Sequence, residues 1–194
     1  MEHNIRLVKV FDANEILKIY APYVSGTAVS FETEVPAVED FAGRIEDTCK
    51  KYPWLVYQID GAIVGYAYAS QHRSRNAYRY DVDVSVYVSP EYHDTRIAYR
   101  LYDCLFKLLH KMGYINAYAA ITTPNEKSMH FHEKFEFTLI GTHHKTGYKF
   151  GKWHDVAWFE KTIQTHDDNP KEVLLPTDIP SEFYEKLFAF YSAI

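Results

Sequence analysis

The sequence predicts a mixed α+β fold, with a central mixed, twisted sheet of about seven strands, about four helices and a C-terminal docking helix. Asp60-Gly61 separates two β-rich runs, and this dipeptide favours a two-residue antiparallel hairpin. A strand, a long helix and a second strand follow one another over residues 82–121, an order that requires parallel pairing. The 194 residues are 47% hydrophobic and 24% charged, which is typical of a folded domain with a sizeable core.

The first part of the chain alternates strands and helices. Residues 4–10 suit a short strand, and Asp12 with Glu15 predicts a capping box at the start of a helix. The buried stripe of that helix comprises Ile16, Ile19, Tyr20 and Tyr23. After a loop over 25–34, Pro36 opens a second helix that ends near Lys51 and buries Val38, Phe41, Ile45 and Cys49. Residues 54–59 and 62–69 are the two strands of the predicted hairpin.

The strand over 82–88 has an alternating pattern. Val82, Val84, Val86 and Val88 alternate with Asp83, Ser85 and Tyr87, so the three polar side chains share a face that can line a site. The next helix is stopped by Gly113, and its apolar stripe comprises Ile97, Leu101, Cys104, Leu105, Leu108 and Met112.

The remaining strands complete the sheet. Residues 115–121 suit a buried strand, and the residues from Thr123 to Glu126 begin a helix that reaches about Phe135. Two strands, 137–144 and 153–161, lie on either side of a loop rich in glycine and lysine. We divide the chain into a domain over 1–162 and a C-terminal linker and short helix over 163–194. The helix has a stripe of Phe183, Leu187, Phe190 and Ile194.

Charge and composition exclude several classes of protein. The 21 basic against 26 acidic residues give a net charge of −5, so no basic field attracts nucleic acid or an anionic membrane. The N-terminal residues contain no apolar run, and two cysteines are too few for a framework of several disulfides. These features predict a cytoplasmic protein. The 17 tyrosines favour a ligand groove or an oligomer contact as well as a core.

Ten histidines raise the question of a metal site. His130 and His132 are two residues apart on a predicted helix, which separates them by roughly 200° around its axis. His143 and His144 are adjacent, and the Cys/His spacing of a zinc site is missing from the sequence. We therefore predict no metal.

Short strings along residues 4–161 occur in an order that resembles a known family. The strings are Ser30 to Glu34, Tyr52 to Val56, Arg75 to Tyr78, Ser85 to Pro90, Pro124-Asn125, His132-Glu133 and Gly147 to Val156. In this order they resemble the GNAT superfamily of N-acetyltransferases, and within it the phosphinothricin acetyltransferase-like subfamily. The resemblance implies the acyl-CoA N-acyltransferase fold and transfer of acetyl from acetyl-CoA to the amine of a small amino acid or amino-acid-like toxin. The toxins implied are phosphinothricin and methionine sulfoximine or sulfone.

The resemblance also implies where acetyl-CoA binds. In the family, the pattern Gln/Arg-x-x-Gly-x-Gly/Ala binds the pyrophosphate at a helix N-terminus. Here His93 takes its first place, Arg96 replaces the first glycine and Ala98 conforms, while Asp94 adds a negative charge. Arg96 either blocks the phosphate or offers it a guanidinium. An ordinary turn is the alternative for this segment, and a catalytically impaired ligand-binding protein is the alternative function. The implied cofactor residues are Val86, Tyr87, Val88, His93, Asp94, Thr95, Arg96, Ile97, Ala98, Tyr99 and Asn125.

Two catalytic residues follow from the resemblance. Asp83 falls where the subfamily has a glutamate, so we expect it to be the general base. The alternative is a solvated or ion-paired carboxylate that faces Arg79. His132 falls where relatives place a histidine or the tyrosine that protonates the departing thiolate, the alternative being a packed helical histidine.

The substrate site is expected to combine cations and aromatic rings. The matching residues are Phe31, Arg73, Arg75, Tyr78, Ser85 and Tyr87. For the arginines a solvated surface cluster is the alternative, and for Phe31 and Tyr87 it is core packing. We also expect a homodimer that the C-terminal helix seals. The loop over 149–155 is expected either to cap the site or to contact the second subunit. Glu136 replaces a glycine of the subfamily, which predicts a strained turn from helix to strand.

Overall fold

Seven strands form one sheet in the computed structural model, which describes residues 1–193. The strands are β1 (His3–Leu7), β2 (Trp54–Ile59), β3 (Ala62–Gln71), β4 (Asp81–Val88), β5 (Asn116–Thr123), β6 (Thr138–Lys149) and β7 (Lys152–Thr162). Their order across the sheet is β1-β2-β3-β4-β5-β7-β6. The neighbours β4 and β5 run parallel, whereas the other neighbouring pairs are antiparallel. The predicted mixed sheet is therefore confirmed.

Helices cover both faces of this sheet. They are α1 (Ala13–Gly26), α2 (Val38–Cys49), α3 (Ile97–Met112), α4 (Glu126–Lys134) and α5 (Ser181–Ser192). Helices α1 and α2 pack on one face over a cluster that includes Phe41, Trp54 and Tyr66. Helices α3, α4 and α5 contribute to the core on the other face, where Leu101 and Leu105 are fully buried. The central strands β2 and β3 supply buried residues to both cores, because successive side chains point to opposite faces.

Two tight turns close hairpins of the sheet. Asp60 and Gly61 have φ values of 49° and 85°, so both adopt the left-handed conformation that the predicted hairpin turn requires. Phe150 and Gly151 do the same between β6 and β7, with φ values of 51° and 73°. The sequence predicts a loop over residues 145–152, and this prediction is too long. Strands β6 and β7 continue as far as the two-residue turn at Phe150 and Gly151.

Asp12 does not form the predicted capping box with Glu15. Its carboxylate instead accepts hydrogen bonds from Arg6 at 2.7 and 2.9 Å and from the Lys9 backbone N–H at 2.7 Å. The Arg6 guanidinium fills both carboxylate oxygens, which leaves the helix N-terminus without a side-chain cap. The predicted start of α4 is confirmed, since Asn125 Oδ1 accepts from the Ser128 N–H at 3.2 Å.

Helix α5 packs against β1 and α3 of its own chain. Leu187 and Tyr191 are buried, and the Tyr191 hydroxyl donates to the Asp103 carboxylate. Phe190 is 58% exposed, so the prediction that it belongs to the buried stripe is wrong. Its neighbour Tyr191 faces the core instead. Ile194, the last residue of that stripe, lies outside the described residues.

Candidate active site

The strands β4 and β5 separate after a short stretch of pairing. They pair from Asp81 with Asn116 to Asp83 with Tyr118, and beyond this point a groove of about 890 Å³ opens between them. The Ser89 N–H donates to Val64 of β3, so the alternating backbone of β4 turns the N–H and C=O groups of Val86 toward the groove. Unpaired strand groups at this edge can bind an extended amide-containing ligand.

All of the predicted cofactor residues except Ile97 line the groove. Its lining includes Val86, Tyr87, Val88, His93, Asp94, Thr95, Arg96, Ala98, Tyr99 and Asn125. The Ile97 side chain is 3% exposed and packs in the core. The Ile97 side chain faces β3 and therefore points away from the groove. Its neighbour Ala98 lines the groove, because adjacent residues of a helix point in different directions from the helix axis.

The N-terminus of α3 lies at one end of the groove. The first backbone hydrogen bond of the helix runs from the Arg100 N–H to Arg96 at 2.9 Å. The N–H groups of the first turn have no acceptor within the helix, and together with the helix dipole they favour an anion.

Arg96 adopts its place without backbone strain. Its φ is −84°, so this position does not require glycine, and the left-handed residue of the segment is instead Asp94, with φ of 64°. Asp94 pairs with Lys127 Nζ of α4 at 2.7 Å, and this hydrogen bond lowers the pKa of Asp94. The charge at Asp94 is thus balanced by a lysine that the sequence analysis missed, because the contact joins two separate segments.

Tyr23 of α1 holds the loop after β4. Its hydroxyl donates to the Val88 carbonyl at 2.6 Å and lies 2.8 Å from Nε2 of His93. The Tyr87 ring packs edge-on against Tyr23 and Tyr20, with 5.2 Å between the ring centroids in each pair. Aromatic contacts therefore fix one wall of the groove.

His132 lies in an aromatic environment at the wall of the groove. Its Nδ1 is 2.8 Å from the Ser128 carbonyl and must donate, so Nε2, 3.2 Å from the Tyr102 hydroxyl, accepts. Burial lowers the pKa of His132, with 5% of the residue exposed. The ring is neutral, and its single N–H donates to the Ser128 carbonyl. The catalytic role of His132 stays a prediction.

Asp83 lies at the point where β4 and β5 separate. Its Oδ1 is 2.7 Å from Nδ1 of His72, a residue that the sequence analysis missed. Burial raises the pKa of Asp83, and the hydrogen bond with His72 opposes this change. The alternative pairing with Arg79 does not form, because that guanidinium contacts Glu172 at 3.4 Å and the Tyr80 hydroxyl at 2.9 Å.

A second cavity of about 310 Å³ adjoins the groove and shares Val29 and Ala120 with it. The other lining residues are Phe31, Thr122, His143, Thr146, Val156 and Trp158. Phe31 thus lies in this cavity, whereas Ser85 and Tyr87 line the groove. The predicted substrate residues Arg73, Arg75 and Tyr78 lie on an exposed segment after β3 and line neither cavity.

Trp158 and His143 are further residues of the second cavity that the sequence analysis missed. The Trp158 indole donates to His143 Nδ1 at 3.2 Å. Alternation along residues 153–161 contains the signal, because buried Phe159 requires its neighbour Trp158 to face the other way.

Lys149 joins the hairpin of β6 and β7 to the loop that carries Phe31. Its buried Nζ donates to the carbonyls of Val24 at 2.6 Å and Ser30 at 2.7 Å. Burial lowers the pKa of Lys149, and the two carbonyls supply partners for the buried ammonium. This contact fixes the position of the loop beside the second cavity.

The histidine pairs do not converge on one point. His130 and His132 each bond to the carbonyl four residues earlier, and His144 bonds to Asp155 at 3.0 Å. Within residues 1–193, the side chains form no group of three or more His, Cys, Asp or Glu that can hold a metal ion. Among the helices of this described part, none has the length and apolar character to cross a membrane.

A separated pair of parallel strands, with a helix N-terminus at one end and a partly buried carboxylate where the strands separate, is the arrangement of an acyltransferase. A family model described as an acetyltransferase (GNAT) domain matches residues 5–158. The chain belongs to this GNAT acetyltransferase family and is an N-acetyltransferase.

Named relatives agree with this assignment. The chain is 32% identical to phosphinothricin N-acetyltransferase of Streptomyces viridochromogenes, over 82% of this chain and 87% of that one. It is 30% identical to an L-methionine sulfoximine/L-methionine sulfone acetyltransferase of Pseudomonas aeruginosa, over 84% and 96% of the two chains. A phosphinothricin acetyltransferase of Sinorhizobium meliloti, solved in complex with acetyl-CoA, superposes with a TM-score of 0.85 at 30% identity, covering 91% of this chain and 97% of that one.

Proposed function

We propose that this enzyme transfers the acetyl group of acetyl-CoA to the α-amine of a small amino acid or amino-acid-like compound. Compounds of the phosphinothricin, methionine sulfoximine and methionine sulfone type are the first candidates. The observation that carries the proposal is the contact between the two cavities at Val29 and Ala120. Ala120 follows Tyr118, the strand partner of Asp83, by two residues, so Asp83 lies near this contact although it lines neither cavity. The names of the relatives support the same substrate class.

Acetyl-CoA fits the groove by the chemistry of its lining. Backbone groups of Val86 suit the amide-rich arm of the molecule, and the first turn of α3 suits its pyrophosphate. Arg96 and Lys127 add cations at the same end of the groove, and the favourable backbone of Arg96 supports binding. The remaining predicted cofactor residues except Ile97 line the walls. We propose that the reaction uses no metal.

Asp83 is the proposed general base. A substrate ammonium must lose a proton before its nitrogen can attack, and the raised pKa of Asp83 suits it to accept that proton. The nitrogen then bonds to the acetyl carbon as the C–S bond breaks, and the thiolate takes the second proton that the nitrogen loses. For His132 we propose a positioning role at the groove wall, because both of its ring nitrogens are engaged by protein groups.

Substrate binding is proposed for the residues around the second cavity and the nearby surface. Phe31 supplies an apolar wall, and Ser85 and Tyr87 face the groove next to it. Arg73, Arg75 and Tyr78 lie outside both cavities, so in this proposal they contact the substrate carboxylate at the entrance.

We also propose a cytoplasmic homodimer. Cys49 and Cys104 are both free thiols, as expected in a reducing compartment. The hairpin of β6 and β7 exposes Tyr148, Phe150 and Trp153, each more than half exposed, and such aromatic side chains are enriched in interfaces. The hairpin therefore supports a dimer contact better than α5, whose buried residues face their own chain.

Calorimetry and turnover together test the proposed function. We expect micromolar binding of acetyl-CoA, followed by CoA release with methionine sulfone or phosphinothricin. Asp83→Asn should lower kcat by about 100-fold or more, because a general base contributes this much, and should leave the acetyl-CoA Kd unchanged. Asp81→Asn is the matched control, since Asp81 accepts from Asn116 at 2.9 Å and lies on the same strand.

Two outcomes would contradict the proposal. Acetyl-CoA binding without CoA release from a broad panel of amines would favour a catalytically impaired binding protein. Equal losses of turnover and of acetyl-CoA affinity in Asp83→Asn would remove Asp83 as the base.

A further inference from the structure

His72 lies over the last paired residues of β4 and β5. Asp83 and Tyr118 are the final partners before these strands separate. The His72 ring stacks on Tyr118 with 4.1 Å between centroids and 15° between planes, and its Nδ1 is 2.7 Å from Asp83 Oδ1. A carboxylate can only accept, so the Nδ1–H of His72 donates to Asp83.

Three aromatic side chains hold the His72 ring in this orientation. Besides the stack on Tyr118, the ring meets Tyr78 and Trp158 nearly edge-on, with 6.3 Å between centroids in each pair. The His72 side chain is 10% exposed, whereas that of Asp83 is 35% exposed. The histidine is therefore packed from several elements, and the carboxylate is the more accessible member of the pair.

The pair lies beside residues of both cavities, although neither His72 nor Asp83 lines the groove or the second cavity. Ser85, the next residue on the same face of β4, lines the groove. Trp158, which contacts His72, lines the second cavity. Ala120 of the neighbouring strand β5 lines both cavities, so an acyl donor in the groove and an amine in the second cavity would approach each other near this pair.

We propose that His72 is a positioning residue for the reaction, and that its Nδ1–H fixes the Asp83 carboxylate so that Oδ2 faces the substrate ammonium. The inference rests on the proposed function of Asp83. Aspartate is one methylene shorter than the glutamate expected at this position, so its carboxylate reaches less far and depends more on a fixed orientation.

The proton and electron balance of this step is simple. An N–H bond of the ammonium breaks and an O–H bond forms on Asp83, and the electron pair left on nitrogen makes the new bond to the acetyl carbon. Asp83 returns its proton to solvent after the products leave. His72 keeps its Nδ1 proton throughout, and no group is oxidised or reduced.

The charged and titratable groups around the pair determine its pH dependence. Arg73 acts on Asp83 through its charge, Tyr78 and Tyr118 face the ring, and His143 lies on the far side of Trp158. Burial raises the pKa of Asp83 and the His72 hydrogen bond lowers it. Loss of that bond should therefore move the acidic limb of kcat/KM to higher pH.

Two variants of His72 separate positioning from packing. His72→Phe keeps an aromatic ring for stacking on Tyr118 but removes the donor, whereas His72→Asn keeps a donor near the Nδ1 position but removes the ring. We expect His72→Phe to lower kcat roughly tenfold and to move the acidic limb to higher pH. His72→Asn should restore most of both, and His166→Asn in the exposed tail serves as the control.

A direct titration of the Asp83 carboxyl by ¹³C NMR provides a readout that does not need turnover. We expect its pKa to be higher in His72→Phe than in the wild type. An unchanged titration and pH profile in His72→Phe, or a larger defect in His72→Asn than in His72→Phe, would overturn the inference. Absence of turnover in the wild type would instead contradict the proposed function, while the NMR titration would still test the His72–Asp83 contact.

Discussion

The Phe31 ring lies directly against the backbone of Gly147. A Cβ built on Gly147 would lie 2.2 Å from two atoms of this ring, which is far inside van der Waals contact. The glycine therefore makes room for a residue that lines the second cavity.

Gly147→Ala should displace Phe31 and disturb the proposed amine site. Phe31 is 40% exposed, so its ring can move away from the new methyl group, but it then leaves the wall of the second cavity. The KM of the amine should therefore rise roughly tenfold, which corresponds to about 1.4 kcal/mol of binding free energy, while the acetyl-CoA Kd stays unchanged. Steady-state kinetics and calorimetry would measure the two effects. Gly141→Ala in the same strand is the control, because a Cβ there meets no atom within 4 Å. An unchanged amine KM in Gly147→Ala would separate Phe31 from substrate binding.

Single residues of the site differ in how far the sequence predicts them. Strand alternation alone predicts that Asp83, Ser85 and Tyr87 share one face. In the structure Ser85 and Tyr87 line the groove, whereas Asp83 does not. His72 carries no such signal, because it follows the end of β3 and reaches Asp83 across a connecting segment of irregular shape. Lys127 escapes prediction for the same reason, since its partner Asp94 belongs to another segment.

At the scale of elements, the connection from α4 to β6 contains a residue in an unfavourable conformation. Glu136 has φ of 63°, as expected from the replacement of a glycine there, and its carboxylate pairs with Lys161 at 2.9 Å. The carboxylate is 87% exposed, so this ion pair contributes little to stability.

Glu136→Gly should stabilise the protein by about 0.5–1 kcal/mol. Glycine removes the left-handed backbone penalty, and its greater unfolded-state entropy offsets only part of the gain. Urea unfolding would measure the change, with Glu133→Gly inside the last turn of α4 as a control that should lose about 1 kcal/mol. A loss of stability in Glu136→Gly would show that the Lys161 contact outweighs the strain.

Turn chemistry decides which elements the sequence predicts well. Asp60-Gly61 combines two residues that tolerate positive φ, so the first hairpin follows from the dipeptide alone. Between β6 and β7, the glycines and lysines at 145–152 resemble a loop because glycine is common in turns. Gly147 allows the Phe31 ring to approach the backbone closely, and Lys149 makes buried hydrogen bonds. Composition reveals neither role.

At the scale of the whole molecule, the Arg6–Asp12 ion pair near the N-terminus should stabilise the fold at neutral pH and lose this effect in acid. Burial raises the pKa of Asp12, but the hydrogen bonds from Arg6 and Lys9 and the charge of Arg6 outweigh it, and the net pKa is lowered. A lowered pKa means that the contribution is present above the unfolded-state value of about 3.9 and is lost as pH falls through the folded-state value.

Asp12→Asn should therefore destabilise the fold by about 2 kcal/mol at pH 7 and progressively less below pH 4. Urea unfolding at a series of pH values would show the two curves converging in acid. Asp47→Asn is the control, because the Asp47–Lys50 pair is exposed and should contribute little at any pH. A constant difference between Asp12→Asn and wild type down to pH 2 would assign the loss to packing instead of charge.

The proposed homodimer has a test at the same scale. Light scattering should give twice the 22.7 kDa mass of the chain. Trp153→Glu places a charge on the exposed hairpin and should yield monomers, whereas Phe190→Glu on α5 should leave the dimer intact. The reverse pattern would assign the interface to α5, and a monomeric wild type would exclude the dimer.

The architecture of the molecule is largely predictable because it depends on order and periodicity. The strand, helix and strand over 82–121 permit one kind of crossover, and Gly113 with φ of 95° ends α3 where expected. The side on which α5 packs is less predictable, since Phe190 and Tyr191 are both aromatic and only Tyr191 has Asp103 as a partner. The 162/163 domain boundary stays a prediction.

The contact between β1 and α5 also bears on how the chain folds during its synthesis. β1 is an edge strand, and the Ile5 N–H donates to Ser192 Oγ at 3.0 Å, a partner 187 positions later in the sequence. An uncovered strand edge is a template for pairing with other chains. A nascent chain on the ribosome therefore carries this edge unshielded until translation reaches α5, and premature termination before residue 181 should favour aggregation of the released product.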